Sequence, residues 1–332
     1  MRYSIGYRYP DDESVVEVVR EFRERIGEVY FAWPGEASGR SVLEEDGREV
    51  LEAELGELSG MGVGLVLLVN AACYGAKAVS VELAERVRGQ VRHLLDAQNL
   101  IAVTTTSPFV ARTLKEAFPE LAIRASVNMR IGTTAGMAYV ADAFDGFYMQ
   151  REYNRDARRI ERLKAWCDER GKELHILVNS GCLNWCSTQT FHDNLVAHEA
   201  EMCGVEHVGQ RWPSPCWEFL SRRENWVHLL CGSWVRPEDI GRYERWFSTA
   251  KLATRMHSRP RAVVAAYCAE RFYGNLLDLM EPGYGPLLAP QAIDNRRFPA
   301  DWWERTASCA KDCEACGYCR EVLERVQVRA DG

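Results

Sequence analysis

Short apolar runs rich in β-branched residues alternate with amphipathic segments along most of the chain. The apolar runs predict eight strands, at residues 3–8, 28–33, 64–70, 100–105, 122–128, 146–150, 173–179 and 250–255. Segments with apolar residues at helical spacing lie between them, at residues 13–25, 81–97, 109–118 and 155–170. Alternation of this kind favours parallel strands joined by right-handed crossovers. Eight such strands predict an α/β fold, a closed TIM-like (β/α)8 barrel.

The predicted barrel occupies residues 1–258, and residues 259–332 predict a helical extension with a cysteine-rich motif. An open dinucleotide-binding sheet is the structural alternative. Its signature is absent, because no GxGxxG follows the first strand and the glycines at 60, 62 and 64 precede a strand. The phosphate-binding pattern GxxxxGK[ST] is absent as well. Neither NAD nor ATP therefore has a recognisable binding loop in this sequence.

Composition narrows the class of protein. The chain has 12 cysteines in 332 residues and a formal net charge of -7. No secretory signal is visible at the N-terminus, and the strongest apolar run, residues 64–72, is too short to span a bilayer. We therefore expect a cytoplasmic protein without membrane insertion, whose clustered thiols stay reduced and act as ligands. Because nucleic-acid binding depends on surplus Lys and Arg, a small-molecule or peptide substrate is favoured.

Four cysteines lie close together near the C-terminus: Cys309, Cys313, Cys316 and Cys319. Thiols at such short separations converge easily on one metal centre, so the quartet predicts either a zinc ion or an iron–sulfur cluster. The first three also match the CxxxCxxC spacing of radical-SAM enzymes. That interpretation is disfavoured, because no barrel follows the motif and Ala315 stands where those enzymes usually carry an aromatic residue.

Residues that directly follow the strands are the candidates for a functional site, since a barrel of this type uses the carboxyl ends of its strands. These residues are Tyr9, Trp33, Cys73, Thr105, Thr106, Arg130, Gln150, Arg151, Cys182, Arg255 and His257. Arg130, Arg151 and Arg255 are suited to bind a carboxylate through two parallel hydrogen bonds, with structural ion pairs as the alternative. His192 is a candidate proton donor or a structural histidine, and His198 is interpreted as structural.

Several segments together resemble a known family. They are residues 174–186 with Cys182 and Cys186, then Cys216, then Cys231 ahead of residues 235–240, then residues 250–255, and also residues 104–108, 122–128 and 263–267. Over nearly its whole length the chain resembles the collagenase-like peptidase U32 superfamily, and within it the iron–sulfur, oxygen-independent hydroxylase branch. The resemblance implies a TIM-like barrel that carries a [4Fe–4S] cluster on four cysteines.

From that resemblance we assign the cluster to Cys182, Cys186, Cys216 and Cys231, with Cys73 as a substitute for one of them. The first pair is more closely spaced than is usual in the family, and the interval from Cys216 to Cys231 is shorter. The structural alternative is that Cys216 and Cys231 are small buried apolar residues. Cys167, Cys203 and Cys268 lack a close partner and are interpreted as ordinary core or surface thiols.

The implied activity is oxygen-independent hydroxylation, or a related oxygen or sulfur transfer, with prephenate as a possible oxygen donor. In this hypothesis Arg255, with Arg130 and Arg151, holds the donor's carboxylates, and Trp33, Tyr148 and Trp185 line the acceptor pocket. A non-catalytic iron–sulfur subunit that pairs with a homologous partner subunit is one alternative. A U32-type peptidase is another; GxSxG and HExxH are absent, while a cysteine nucleophile stays open.

Overall fold

The computed structural model describes residues 1–8, 13–39, 47–203, 214–313 and 315–329. Its strands are β1 (Arg2–Gly6), β2 (Ile26–Ala32), β3 (Gly64–Val69), β4 (Leu100–Thr105), β5 (Ala122–Ala125), β6 (Gly146–Tyr148), β7 (Glu173–Leu177), β8 (Thr249–Lys251), β9 (Gln291–Ile293) and β10 (Gln327–Arg329). Its helices are α1 (Val15–Glu21), α2 (Arg48–Gly60), α3 (Val81–Ala97), α4 (Pro108–Ala117), α5 (Thr134–Ala138), α6 (Ala157–Asp168), α7 (Gln189–Ala197), α8 (Glu199–Cys203), α9 (Pro215–Leu220), α10 (Val227–Leu230), α11 (Pro260–Cys268), α12 (Gly285–Leu288), α13 (Trp302–Ala307) and α14 (Tyr318–Val326). Tyr9, one of the predicted strand-end residues, lies outside the described residues.

Strands β1 to β8 form a closed barrel in the order in which they occur along the chain. Each neighbouring pair is parallel, and β8 pairs with β1 to close the ring. In that closing pair Ser4 lies opposite Lys251. The predicted TIM-like (β/α)8 fold class is therefore confirmed.

The hydrophobic pattern accounts for β3 and α3 most directly. Every residue of β3 is buried, as expected for a parallel strand that is covered on both faces. Helix α3 begins after Ser80, whose hydroxyl accepts a hydrogen bond from the Leu83 N–H. The bounds of α3 and of β4 coincide with the predicted ones.

Strands β5 to β8 end two to four residues earlier than predicted. After β5 the Ser126 hydroxyl accepts a hydrogen bond from the Asn128 N–H and starts the 3-10 turn Val127–Met129. A hydroxyl bonded in this way stabilises a turn in competition with the sheet. The apolar pattern contains no information about that competition, so the predicted strand is too long. The residues that follow these short strands form loops at the carboxyl end of the barrel.

The barrel interior contains buried polar side chains. Arg124 and Glu28 form an ion pair with an Nη1 to Oε1 distance of 3.0 Å. The Tyr30 hydroxyl donates to the Leu252 carbonyl oxygen at 2.8 Å, and the Lys251 ammonium lies 3.7 Å from the centroid of the Tyr30 ring. Burial raises the pKa of Tyr30, so the phenol stays a neutral donor.

The chain that follows β8 packs against the barrel as part of one hydrophobic core, to which Trp302 and Tyr267 contribute. The Tyr3 hydroxyl of β1 donates to the Tyr267 carbonyl oxygen of α11 at 2.7 Å. This extension is not wholly helical as predicted, because β9 and β10 form an antiparallel pair in which Ala292 lies opposite Val328. The predicted division at residue 258 stays a prediction. No described helix has both the length and the apolar character needed to cross a membrane.

Candidate functional site

A pocket of about 70 Å³ lies at the carboxyl ends of the barrel strands. Its wall includes the cationic side chains of Lys251 and Arg255 and the carboxylate of Glu281. The side-chain amides of Asn70 and Asn128 line it as well. Two cations, one carboxylate and two amides suit this pocket to an anionic group such as a carboxylate. We call it the mouth pocket.

Of its charged residues, the sequence identified only Arg255 as a candidate. Arg255 is 6% exposed, and its Nη2 donates to the Ser38 hydroxyl at 2.9 Å. Its backbone lies directly over Gly6 at the end of β1, where a Cβ would come within 2.7 Å of the Arg255 Cβ. Gly6 therefore allows Arg255 to approach β1 and point into the pocket. Glu281 is brought there from the extension, and no local sequence pattern signals it.

The two other predicted arginines have different surroundings. Arg130 forms an ion pair with Asp193 on α7, with an Nη2 to Oδ2 distance of 2.9 Å, and also donates to Thr190. It thus makes the structural ion pair that was the alternative to a substrate clamp. Arg151 is buried, and its Nη2 has no hydrogen-bond partner among the described residues. Neither side chain lines the mouth pocket.

Among the remaining candidates, His192 is exposed on α7. Trp33 is buried against His93 of α3, with ring centroids 5.9 Å apart, and Tyr148 stacks on His175 at 4.9 Å. Neither ring lines the mouth pocket, and the expectation that Trp33 and Tyr148 line an acceptor pocket stays a prediction. Trp185 is 54% exposed and lines a larger cavity, of about 580 Å³, next to the predicted cluster cysteines.

Three of the predicted cluster ligands, Cys182, Cys186 and Cys216, come together after β7. We call them the β7 thiol group. Burial raises the pKa of Cys216, and the neighbouring sulfurs of Cys182 and Cys186 act in the same direction. The Tyr284 hydroxyl interacts with all three, and burial raises its pKa too. This corner of the protein is thus partly buried and rich in sulfur.

The loop that carries Cys182 is fixed by main-chain contacts with the extension. The Gly181 N–H donates to the Glu281 carbonyl oxygen at 2.9 Å, and Ser180 and Glu281 form a parallel bridge. A Cβ at position 181 would overlap the Pro282 carbonyl oxygen, so only glycine permits this approach. Because Glu281 lines the mouth pocket, the same segment connects the pocket with the β7 thiol group.

Cys231 interacts with the C-terminal cysteines. Hydrogen bonding with the Cys319 thiol is the main cause that raises the pKa of Cys231, followed by burial, and Cys313 adds to the effect. The same contact with Cys231 is the main cause that lowers the pKa of Cys319 to about 7, with help from the cations Arg155 and Lys311. Cys313 in turn interacts with Cys231, Cys319 and Cys309. We call these four thiols, Cys231, Cys309, Cys313 and Cys319, the α14 thiol group.

This arrangement differs from the two quartets of the sequence, because Cys231 interacts with the C-terminal cysteines instead of completing the central set. Cys313 and Cys316 are both exposed, and Cys316 is not among the groups that act most strongly on Cys231, Cys313 or Cys319. The two thiol groups are nonetheless adjacent. The Asn184 amide donates to the Cys231 carbonyl oxygen at 2.7 Å, and Cys186, Cys216, Cys231 and Cys313 line the same cavity of about 580 Å³.

In the part of the chain that the structure describes, no three His, Cys, Asp or Glu side chains lie in metal-binding geometry. The chemistry of the donors still fits the implied groups. Thiolates are the ligands of iron–sulfur clusters and of structural zinc sites, and each thiol group brings several cysteines together. Which cysteines bind a metal therefore stays a prediction, with Cys182, Cys186 and Cys216 as the fitting set near the mouth pocket.

Cys73, the predicted substitute ligand, lies beside a histidine. It follows β3 and accepts a hydrogen bond from the Gly75 N–H at 3.3 Å. Hydrogen bonding with His198 is the main cause that lowers the pKa of Cys73, and the same contact raises the pKa of His198. The His198 Nδ1 lies 3.0 Å from the Glu201 carboxylate. The sequence predicts a structural role for His198 and does not predict this contact, because residues so far apart along the chain give no joint signal.

Comparison with known proteins tests the resemblance of the sequence to the U32 peptidase superfamily. No family model matches the sequence. A protein of Methanocaldococcus jannaschii named uncharacterized protease MJ1657 is 20% identical over 323 residues, which cover 93% of this chain and 91% of that protein. The structure of the U32 peptidase Mk0906 superposes with a TM-score of 0.54 at 16% identity, over 76% of this chain and 92% of the other. The resemblance to the U32 peptidase superfamily is confirmed.

At 16% identity the U32 structure shows that the two proteins share a fold. A shared fold does not carry over the chemistry of the other protein. Three features of this U32-like barrel come from its own residues and bear on its chemistry. They are a cationic mouth pocket, two adjacent thiol groups, and a contact between Cys73 and His198.

Proposed function

We propose that this U32-like protein is an iron–sulfur enzyme that hydroxylates a small molecule or a peptide, or transfers oxygen or sulfur to it, without dioxygen. The observation that carries the proposal is the gathering of Cys182, Cys186 and Cys216 after β7. The Cys182 loop is hydrogen-bonded to the segment that brings Glu281 into that pocket. A cofactor on these thiols would therefore lie close to a ligand bound by Arg255.

Cys182, Cys186 and Cys216 would hold a [4Fe–4S] cluster. Three protein thiolates leave one iron of such a cluster without a protein ligand, and the chemistry that the group supplies when bound is coordination of a substrate oxygen there. Cys73 as a fourth ligand is the alternative prediction. In the structure its sulfur interacts with His198 and the Gly75 N–H.

The chain's own residues bind and orient the donor. Arg255 and Lys251 attract its carboxylate, and the amides of Asn70 and Asn128 supply further hydrogen-bond partners. With a volume of about 70 Å³, the mouth pocket accommodates a carboxylate group and leaves the rest of a prephenate-sized donor outside.

Isotope labelling tests this proposal. The full-length protein would be purified without oxygen, analysed for iron and sulfide, and supplied with prephenate carrying ¹⁸O in its hydroxyl group. We expect the label to appear in the hydroxylated product. Label from water or dioxygen, or a colourless protein after anaerobic reconstitution, would contradict the proposal. Activity that appears only when a homologous subunit is added would favour the alternative role as an iron–sulfur partner.

A second candidate function, hydrolysis of peptides by a thiol nucleophile, is favoured by the arrangement of Cys73, His198 and Glu201. His198 is placed to accept the thiol proton, and Glu201 is placed to orient the imidazole at 3.0 Å. The Gly75 N–H donates to the sulfur and stabilises its anionic form. Such a thiolate would attack a peptide carbonyl carbon and expel the amine, which takes its proton from His198, and water would then hydrolyse the thioester to a carboxylate and the free thiol.

Alkylation kinetics separate this function from the first. In a thiol hydrolase, iodoacetamide should label Cys73 first and abolish peptide hydrolysis, and His198→Ala should slow that labelling at neutral pH. Cys268→Ala is the matched control, because Cys268 is half-buried on α11 and its pKa is raised to about 11 by burial. Peptide hydrolysis that persists in Cys73→Ala would exclude this nucleophile.

A further inference from the structure

We propose that Cys231, Cys309, Cys313 and Cys319 together ligate one metal centre, a zinc ion or an iron–sulfur cluster, and that Cys316 lies outside it. The ligand set therefore combines one cysteine from the segment before β8 with three from the extension. It is separate from the β7 thiol group and does not depend on the proposed hydroxylase activity.

The placement of the four sulfurs supports this set. Cys231 follows the last residue of α10, and Cys319 lies in the first turn of α14, which packs against α10. Cys309 and Cys313 lie in the loop that leads into α14. All four line one cavity of about 550 Å³, whose wall also includes Cys316, and Cys313 interacts with each of the other three. The segment before β8 and the C-terminal cysteine motif thus bring these thiols close together.

The loop also has a conformation suited to a thiolate ligand. The Lys311 N–H donates to the Cys309 sulfur at 3.2 Å. Lys311 has a φ of 61°, a left-handed conformation that is uncommon for a residue with a side chain. Backbone N–H groups that point at a sulfur stabilise its anionic form, which is the form that binds metals. The turn that brings the Lys311 N–H to the Cys309 sulfur therefore contains a residue in a strained conformation.

A buried cation supplies an independent argument. Arg155 is 6% exposed and lies between the rings of Trp234 and Trp302, at 4.9 and 5.1 Å from their centroids. Its Nη2 donates to the carbonyl oxygens of Leu230 and Gly232, the two residues that flank Cys231. In the described part of the chain its Nη1 has no hydrogen-bond partner.

A buried guanidinium needs a compensating negative charge nearby, because desolvation of an unpaired ion is costly. The acidic groups that act on Arg155 are Cys319, Tyr243, Cys231 and Asp239 in descending order, and of these Asp239 is the carboxyl group. Four thiolates around Zn²⁺ carry a formal net charge of about -2, as do four thiolates on an oxidised [4Fe–4S] cluster. A metal centre at the α14 thiol group would therefore add negative charge on the side of Arg155 that faces Cys231 and Cys319, beyond the charge of Asp239.

Differential alkylation of the full-length, unmutated protein tests the ligand set. Cys313 and Cys316 are both exposed in the structure, so iodoacetamide can reach both. Because burial raises the pKa of Cys313, the rate of each thiol is compared with its own rate after chelation. We expect Cys313, with Cys231, Cys309 and Cys319, to be protected at least 10-fold until a chelator is added, and Cys316 to react at once. Equal, rapid labelling of Cys313 and Cys316 before chelation would overturn the proposal.

Metal analysis of variants identifies the centre. Cys231→Ser should lose one equivalent of zinc, or the iron of one cluster, and keep the visible spectrum of any centre on Cys182. Cys316→Ser, the matched control, should keep all of its metal. Loss of metal in Cys316→Ser but not in Cys231→Ser would restore the C-terminal quartet and overturn the proposal. Identical iron losses and spectra in Cys231→Ser and Cys182→Ser would overturn it too, by placing Cys231 in the central cluster.

Discussion

Buried guanidinium groups are a recurrent residue-scale feature near the functional end of this barrel. Arg151, Arg155 and Arg255 are each at most 6% exposed. Among them, Arg255 alone lines the mouth pocket, and Arg155 lies beneath Cys231. Because each cation has lost most of its hydration, its surroundings favour an anionic ligand or a thiolate. The individual residues therefore indicate anion chemistry more clearly than the overall charge of -7 does.

At the same scale we predict the effect of Arg255→Lys. The variant keeps the charge but loses the planar fork, so binding of prephenate should weaken by about 1 to 3 kcal/mol. Isothermal titration of the anaerobic protein would measure the change, and the cluster spectrum should stay the same. Arg245→Lys is the control, since Arg245 pairs with Glu161 at an exposed position. Equal affinities of wild type and Arg255→Lys would remove Arg255 from the binding site.

Gly181→Ala should disturb the β7 thiol group without touching a cysteine. The new methyl group would overlap the Pro282 carbonyl oxygen, so the Cys182 loop must move. We expect a loss of about 1 to 3 kcal/mol in the free energy of unfolding and a lower iron content. Gly89→Ala on α3 is the control, because no atom lies within 4 Å of the place that its new methyl group would take and alanine favours a helix. Full iron content in Gly181→Ala would show that the loop does not position a ligand.

At the scale of elements, the sequence pattern predicted those helices and strands that depend on residues close together in the sequence. Residue periodicity and the Ser80 cap suffice for α3, and a continuous apolar run suffices for β3. The grouping of Cys231 with Cys319 depends on how α10 packs on α14, and nothing within either helix encodes that contact. The same holds for Glu281, which reaches the mouth pocket through its bridge to Ser180. The sequence could therefore indicate the barrel and the cysteines, but not the partners of each cysteine.

The 3-10 turn Pro237–Tyr243, which precedes β8, buries a carboxyl group whose effect depends on pH. Burial raises the pKa of Asp239 from 3.8 to about 6, and nearby arginines offset this only in part. Below pH 3.8 the group is neutral in both states. As the pH rises towards 6 it ionises first in the unfolded chain, so the folded state loses stability on the order of 3 kcal/mol.

Asp239→Asn should remove this dependence, because asparagine does not ionise. The variant and the wild type should have similar free energies of unfolding near pH 4, and the variant should be the more stable at pH 7. Urea unfolding at several pH values would measure the difference. Parallel pH profiles for the two proteins would contradict the raised pKa of Asp239.

At the scale of the whole molecule, aromatic packing joins the extension to the barrel. Trp302 of α13 is 1% exposed and stacks on Trp234, with ring centroids 5.9 Å apart. Trp234 lies in the segment between β7 and β8, so this stack connects the two parts of the chain. The Arg155 guanidinium lies over both rings and adds a cation–π interaction.

Trp302→Ala should therefore weaken the attachment of the extension. Removal of a fully buried tryptophan typically costs about 3 to 5 kcal/mol. We expect that loss in urea unfolding, together with faster proteolysis of residues after 258. Tyr139→Ala is the control, because Tyr139 is 85% exposed and its loss should change stability little. A shift of less than about 1 kcal/mol for Trp302→Ala would show that the extension is held elsewhere.

The pairing of β1 with β8, which closes the barrel, also determines how long β1 stays without its second neighbour during synthesis. β1 forms its second edge with β8, so residues 2–4 wait for residues 249–251 before the ring can close. At about 5 to 20 residues per second, a ribosome needs on the order of 10 to 50 s to make the intervening chain. During that time one edge of β1 has no partner strand, and an open edge of this kind invites pairing with other chains. The nascent protein therefore passes through a period in which it depends on the ribosome or on chaperones to stay apart from its neighbours.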